Sequence, residues 1–444
     1  MLAIELSNSL TGASDVQVQI ATISAEVAGD CLVSNTRSQL PETIFARLNQ
    51  TRAEFALTLL QKLLQTGNET PKLKELLPIA WKAIVDMETT FELALESSAA
   101  DAMYYRTLLK ILFLVLRVHA KKDKTDKQER GAIKGSSPLA AASLSIAIEI
   151  LDKIVGQGFR DIATAVHAQS KSIVPDDIAL ITALLQTCLL IPGIETRTSH
   201  IQAILTAHDT ARMASALFSW ADKLAIDGDP VYGELSILFL LELSNIPELA
   251  EQLAVEGILG HISSAPLTVF MRRPNIGPFS DSVGAQRCYS IWARGILPLL
   301  LNLLARLEAS IAGEVAIFLT QFPNLLQQAE HALELGADRR LGRARQDTRV
   351  ALLQVSEIHS LALLVLILKG CRTQAHGVPE VQFDAGAVLE AVEVWLGSRQ
   401  VLGQRIVALG TREAELEKRG RLEGKVVEEL EGLRDVLMEF NEGS

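Results

Sequence analysis

The stretch RCYSIWARGILPLLLNLLARL, residues 287–307, decides the fold. Its apolar side chains Ile291, Ile296, Leu299, Leu300, Leu303, Leu304 and Leu307 recur at the spacing that lines one face of an α-helix. With Ala285 and Cys288 in front, the pattern predicts a long helix over Ala285–Leu307. Pro298 lies inside it. Proline has no amide donor and its ring crowds the preceding turn, so a bend is predicted there.

The same spacing repeats in both directions. Phe55, Leu59 and Leu63 form one stripe, with Ala56, Leu60 and Leu64 beside it, and Gly67 ends the segment. Pro71 opens a helix running through Trp81 and Val85 towards Leu95. Pro175 followed by Asp176 and Asp177 is a helix start, with proline at entry and acids against the positive helix end. Further helices are predicted at Val231–Leu243, Pro247–Leu259, Ile311–Leu335, Gln346–Lys369 and Asp384–Leu409. Gly156-Gln157-Gly158 reads as a helix break. The helices are too many and too uniformly patterned for one compact core. They suggest stacked pairs of the armadillo or HEAT kind, with no strict sequence period.

Four segments depart from this rhythm. Residues 1–40 are poorly defined, helix or loop, because Val16, Val18 and Ile20 alternate with polar residues whereas Asp15 can cap a helix. Residues 121–138, KKDKTDKQERGAIKGSSP, are charged and poor in apolar side chains, a flexible surface loop. Residues 263–282 hold Pro266, Pro274, Gly277 and Pro278, which excludes a regular helix. They also hold Phe270, Met271, Ile276 and Phe279, which predicts an ordered loop. Residues 411–444 are highly charged, with a thin apolar stripe through Leu416, Leu430, Leu433, Leu437 and Phe440. This reads as a capping helix, polar outside, that closes an array spanning 41–410.

Composition narrows the class. Aromatic residues are 5% of the 444, and the apolar content is mainly Leu, Ala, Ile and Val, which suits helix packing better than a β-sandwich. The formal net charge of -11 opposes binding to a phosphate backbone, so no direct nucleic-acid partner is expected. Cys31, Cys188, Cys288 and Cys371 are far apart with no CxxC pair, which fits free thiols in a reducing compartment. The greasiest runs are Leu108–Val118, Leu235–Leu243, Ile296–Ala305 and Leu361–Leu368. Each is shorter than the roughly 18–20 residues of a bilayer-crossing helix, so no membrane span is expected.

The sequence carries no reaction. The histidines form no HExxH or HxH motif, and no GxGxxG after a strand, GxxxxGK[ST] or GxSxG is present. No catalytic, metal or cofactor-binding residue is assigned, and the chain reads as a non-enzyme without cofactors. Arg339, Arg340, Arg343, Arg345 and Arg349 form the densest basic patch. It is either a solvated helix entrance, partly balanced by Asp338 and Asp347, or a surface for an acidic peptide or a phosphate-bearing partner.

The long helix RCYSIWARGILPLLLNLLARL, the preceding segment Phe270–Ser282 and the unit VYGELSILFLLELSNIPELAEQLAVEGIL (Val231–Leu259) together resemble the C-terminal tail of the large inner-ring scaffold nucleoporins. The resemblance implies a right-handed superhelical solenoid of degenerate ARM/HEAT-like repeats and a structural place in the nuclear pore complex at the nuclear envelope. The partners it implies are linker nucleoporins, bound through short helical segments, with FG-repeat nucleoporins as a further class. It brings no catalytic residues.

Three functions compete. A scaffold domain would dock nucleoporin peptides in grooves between helices. A soluble karyopherin-like transport receptor would bind FG repeats and cargo, and release the cargo on a signal. A helical enzyme or regulator would show a buried cluster of titratable side chains. The candidate partner contacts are Phe270 and Phe279, together with Arg339, Arg340 and Arg343; the two phenylalanines either pin their loop or face a partner.

Overall fold

The computed structural model describes residues 14–33, 41–65, 67, 71–87, 99–120, 138–168, 173–334, 349–374 and 377–442. The chain divides into two compact units, 1–213 and 214–444. Among the described residues there is no strand, and extended pairing is limited to two isolated bridges, Ile226 with Asp229 and Val350 with Ile406. The all-α class read from the apolar spacing is the class the chain adopts.

The first unit holds α1 (Ser14–Leu32), α2 (Glu42–Gln65), α3 (Pro71–Val85), α4 (Ala99–Ala120), α5 (Pro138–Ile150), a π turn (Leu151–Gly156), α6 (Gln157–His167), α7 (Pro175–Leu189) and α8 (Thr198–Ala207). The division falls within α9 (Thr210–Ser219). Packing is between near neighbours in the chain: α1 against α2 and α3, α4 against α2, α3 and α7. Such a unit has no single centre; each helix buries a stripe against those beside it in sequence. Of the segment expected to loop over 121–138, residues 121–137 lie outside the described residues and Pro138 begins α5.

The acids read as a helix start do more than complement the helix dipole. Asp177 is buried and accepts two hydrogen bonds from Arg106, from Nε at 2.7 Å and Nη2 at 2.6 Å. It also accepts the Val174 amide at 3.1 Å. One carboxylate thus closes the first turn of α7 and ties it to α4.

The break expected at Gly156 does not occur. The helix runs on from α5 into α6 through the π turn. Gly156 is there for approach, not for termination: a Cβ on it would lie 2.4 Å from Cδ2 of His208, whose Nε2 sits 2.7 Å from Asp152 Oδ1.

The second unit continues with α10 (Val231–Leu243), α11 (Pro247–Val255), α12 (Ile258–Ser264), α13 (Pro266–Met271), α14 (Val283–Ser290), a π turn (Ile291–Ile296), α15 (Leu297–Leu307), α16 (Ala309–Thr320), α17 (Pro323–His331), α18 (Leu352–Gln374), α19 (Ala385–Gly397), α20 (Arg399–Arg405), α21 (Gly410–Lys418) and α22 (Leu422–Glu442). Here α18 is the hub, packed against α15, α16, α17, the π turn and α22. Buried Trp292, Phe318 and Phe322 stack beside it, with ring centroids 4.8 and 5.2 Å apart.

Several boundaries differ from expectation, each for a local reason. Pro298 sits in the first turn of α15, directly after the π turn, so the wide turn absorbs the missing amide. The helix expected over Ile311–Leu335 turns by 82° between α16 and α17, because Pro323 can begin a helix but not continue one. The proline-rich segment is not purely a loop, since Pro266 opens the short α13. The charged C-terminal segment is two helices, parted at Gly420 with φ 64°. The second of them, α22, buries Leu422, Val426, Leu430, Leu433 and Leu437 against α18 and α19.

The run-length argument about membranes also needs correction. Val283–Leu307 and Leu352–Thr373 are each long and apolar enough to cross a bilayer by length and composition, as are two bent helix pairs if each is counted as one span. In the second unit these two helices pack on one another, and 67% and 56% of their most apolar windows are covered by protein. Their apolar surface is the interior of the helical stack.

Candidate interaction surfaces

The segment 263–282 is held by a polar lattice. Arg272 donates to the Ser263 carbonyl at 2.8 Å and to Gln321 Oε1, and stacks 5.6 Å over the Phe322 ring. Asn324 Nδ2 donates to the Arg272 carbonyl at 2.8 Å. Ser280 Oγ accepts the Gly277 amide at 3.0 Å and donates to the Asn275 carbonyl at 2.7 Å, closing a turn in which Asn275 has φ 76°. The apolar anchors are Leu267, Met271 and Ile276, all buried.

Neither Phe270 nor Phe279 is among these anchors. Phe270 and Phe279 are half-buried. Each offers a ring face to an arginine: Arg273 stands 5.2 Å from the Phe270 centroid and Arg349 4.6 Å from that of Phe279. A cation over an aromatic face contributes about 0.5–1 kcal/mol at an exposed site. Arg349 is the described end of the basic patch; Arg339, Arg340, Arg343 and Arg345 lie outside the described residues.

A second surface escaped sequence reading. Val365 and Leu368 of α18, Pro379 and Val381 of the following stretch and Phe440 of α22 line a groove of about 240 Å³. Lys369 guards it, donating to the Phe440 carbonyl at 3.1 Å and standing 4.4 Å over its ring. Small-molecule sites usually enclose about 300–1,000 Å³. This groove is smaller, and Lys369, Arg372 and Glu380 share its lining with the apolar side chains.

A buried titratable cluster does exist, the feature that would have signalled an enzyme. Glu357 of α18 accepts hydrogen bonds from Tyr289 Oη and, at 2.8 Å, from Trp292 Nε1. Burial pushes its carboxyl up to about 7, against the opposing pull of the two donors, and burial lifts the Tyr289 phenol well above its ordinary range. Glu413 is buried nearby in the fold. It accepts the Leu353 amide at 3.0 Å and the Leu409 amide at 2.8 Å, so it caps the start of α18, and burial raises its pKa too. Neither carboxyl lines the groove beside Lys369. Both oxygens of each are engaged, the pattern of a structural tie between helices. Among the described residues no three His, Cys, Asp or Glu side chains converge as metal ligands do.

The thiols are structural in character. Cys188, Cys288 and Cys371 are free and buried, and burial pushes the Cys288 thiol up to about 12, far from a reactive thiolate.

The geometry is that of a helical stack with surface grooves, and comparison with known proteins gives it a family. The model of the nuclear pore protein NUP188 C-terminal domain matches residues 76–437. The chain belongs to the Nup188 C-terminal domain family. It is 44% identical over 460 residues to nucleoporin NUP188 of Chaetomium thermophilum, a match covering 93% of this chain and 24% of that protein. It is 27% identical over 348 residues to nucleoporin nup184 of Schizosaccharomyces pombe, covering 76% of this chain and 20% of that one. The chain therefore spans about a quarter of the length of these relatives. A solved fragment of Nup188 from Myceliophthora thermophila is 44% identical, superposes with a TM-score of 0.70, and covers 83% of this chain and 99% of its own. The resemblance carried by the long helix and its neighbours thus holds over residues 76–437, most of the chain.

Proposed function

We propose that this chain is a scaffold domain of the nuclear pore complex inner ring, which binds other nucleoporins in grooves between stacked helices and so supports nucleocytoplasmic transport. Membership of the Nup188 C-terminal domain family is the observation that carries this reading. The partners would be linker nucleoporins presenting short amphipathic helices. FG repeats would be a further class, with isolated aromatic side chains entering grooves between helices. Phe270 and Phe279, each under an arginine, and the basic stretch containing Arg339, Arg340 and Arg343 are the proposed contacts on the second unit. The domain works without chemistry or cofactor, and α21 and α22 close its C-terminal end as a polar cap. No observation favours the transport-receptor alternative, as the relatives named above are nucleoporins.

Calorimetry of the chain against a panel of linker-nucleoporin helical peptides tests the reading. Saturable binding that weakens at least about tenfold in Phe270→Ser/Phe279→Ser, with an unchanged melting temperature, supports both function and contacts. Absence of binding at high concentration across the panel refutes docking. Failure of the tagged chain to reach the nuclear rim refutes the location.

A further inference from the structure

The connection between α9 and α10 holds the chain's one Asp-Gly step, Asp227-Gly228, and the sequence has no Asn-Gly. These two residues are the tip of a tight hairpin. Ile226 donates its amide to the Asp229 carbonyl at 3.0 Å, and Asp229 donates its own to the Ile226 carbonyl at 2.8 Å. Asp227 has φ 50° and Gly228 φ 80°, the positive pair that a two-residue turn of this kind demands. Both residues are exposed. Neither the Asp227 carboxyl nor the Gly228 amide has a hydrogen-bond partner among the described residues. The turn is fastened to α14 at two points. A Cβ on Gly284 would lie 2.7 Å from the Gly228 carbonyl oxygen, so the two backbones touch. Arg287 donates to both carboxylate oxygens of Asp229, each at 2.9 Å, and also to Glu234.

A free carboxyl thus stands next to a free amide that no side chain shields, because glycine has no Cβ. We propose that Asp227 is the site at which this chain spontaneously forms isoaspartate, and that the change unfastens the hairpin from α14. The Gly228 nitrogen attacks Cγ of the protonated Asp227 carboxyl. The amide proton and the carboxyl hydroxyl leave as water, and a five-membered succinimide forms. Water then reopens the ring. Attack on the main-chain carbonyl carbon leaves the chain running through Cβ and Cγ, which is isoaspartate; attack on the other carbonyl carbon restores aspartate. One water is lost and one regained, and nothing is oxidised or reduced. Folding slows the reaction without stopping it. Ring closure requires Asp227 to leave its left-handed conformation, a strained one for a residue with a side chain. Leaving breaks the two hairpin bonds, so the folded chain should react about thirtyfold more slowly than an unstructured one. The product has one more main-chain carbon between Ile226 and Gly228. The paired bonds of Ile226 and Asp229 then lose their register, and Asp229 is drawn off Arg287. The inference rests on the chemistry of this turn and does not depend on the scaffold role proposed above.

The test ages the folded chain for weeks at neutral pH beside a synthetic peptide of residues 222–233. Fragmentation mass spectrometry locates the isoaspartyl link. A protein isoaspartate methyltransferase, supplied with labelled S-adenosylmethionine, counts it. Isoaspartate should appear at residue 227 before any other position. Asp227→Gly removes the reacting carboxyl and suits φ 50°, so it should fold normally and gain no label there. Asp227→Asn keeps the turn and should gain label faster, because ammonia then leaves in place of water. Hydrogen exchange reads the consequence: in the aged chain the amides of α14 should exchange at least about tenfold faster than in fresh chain, and in aged Asp227→Gly they should not. A folded chain that gains no isoaspartate at 227 while the peptide converts overturns the site. Label arising first at another aspartate, such as the exposed Asp281 before Ser282, overturns it equally. Isoaspartate at 227 with the exchange of α14 unchanged overturns the unfastening.

Discussion

Gly295 lies in the π turn of the long helix, and α10 passes against it. A Cβ at this position would stand 2.4 Å from Ile237 Cγ2, 3.1 Å from Cγ1 and 3.3 Å from Cβ. Ile237 is fully buried, and a β-branched side chain in a close-packed interior is stiff. Gly295→Ala should therefore force α10 away. Overpacking of this kind costs about 1–3 kcal/mol, which outweighs or cancels the roughly 1 kcal/mol an alanine gains over glycine in a helix. The decisive measurement is a double-mutant cycle. Ile237→Ala alone leaves a cavity and costs about 2–5 kcal/mol. It also removes both clashing γ carbons, so in the double variant the new methyl enters the vacated space. Urea unfolding should then show the pair less destabilised than the sum of its parts by at least about 1 kcal/mol, well outside the additivity of distant sites. Strict additivity would mean that α10 does not pack on this glycine, and the account of the π turn would fall with it.

Two further outcomes follow from buried charge. Glu357 is held up at about 7 by burial, so the neutral form is the one the fold favours. Its contribution is fully present below the unfolded carboxyl range, near 4.5, and is lost as pH rises through about 7, a change of about 3 kcal/mol. Melting temperature should accordingly fall between pH 5 and pH 8, and Glu357→Gln should flatten that slope while keeping a partner for Trp292; an unchanged slope counts against the assignment. In the first unit, Arg106→Met removes both guanidinium bonds from buried Asp177 and leaves a carboxylate without its cation, a loss of about 3–5 kcal/mol. Arg106→Met/Asp177→Leu should recover most of that loss in the same unfolding assay, whereas a single substitution as mild as a surface change would show that the pair is not a tie.

The helices could be read because their determinants are local. Apolar spacing and the run Pro175-Asp176-Asp177 act within a few residues, and the chain obeys them. Where reading went astray, the deciding partner was distant in sequence. Gly156 reads as a helix breaker and Gly295 draws no notice within its apolar helix, but each is a landing place for a side chain some 50–60 residues away, which no local pattern announces. Pro266 reads as punctuation, whereas the apolar spacing carries straight through Pro323; whether a proline ends one helix or begins the next depends on what packs behind it. Among candidate contacts, Phe270 and Phe279 stood out as aromatic residues among prolines, yet Leu267, Met271 and Ile276 are the anchors. The groove beside Lys369 joins residues from 365 to 440, and the tie at Glu357 joins 289 to 357. Both are products of packing, invisible until the helices are laid side by side.

The two π turns carry a consequence for how such a chain can change over time. A wide turn is one residue longer than the α turn it replaces. Each is therefore a stored insertion, kept in place by the side chain that leans on its glycine. Loss of one residue between 291 and 296, or between 151 and 156, would restore an ordinary turn and leave the helical stretches on either side in their seats. Elsewhere in these helices the same deletion would rotate everything beyond it by about 100° and turn buried leucines outward. Length variation inside helices of this domain should thus gather at these two turns, and proteins that lack the extra residue should also lack the glycine.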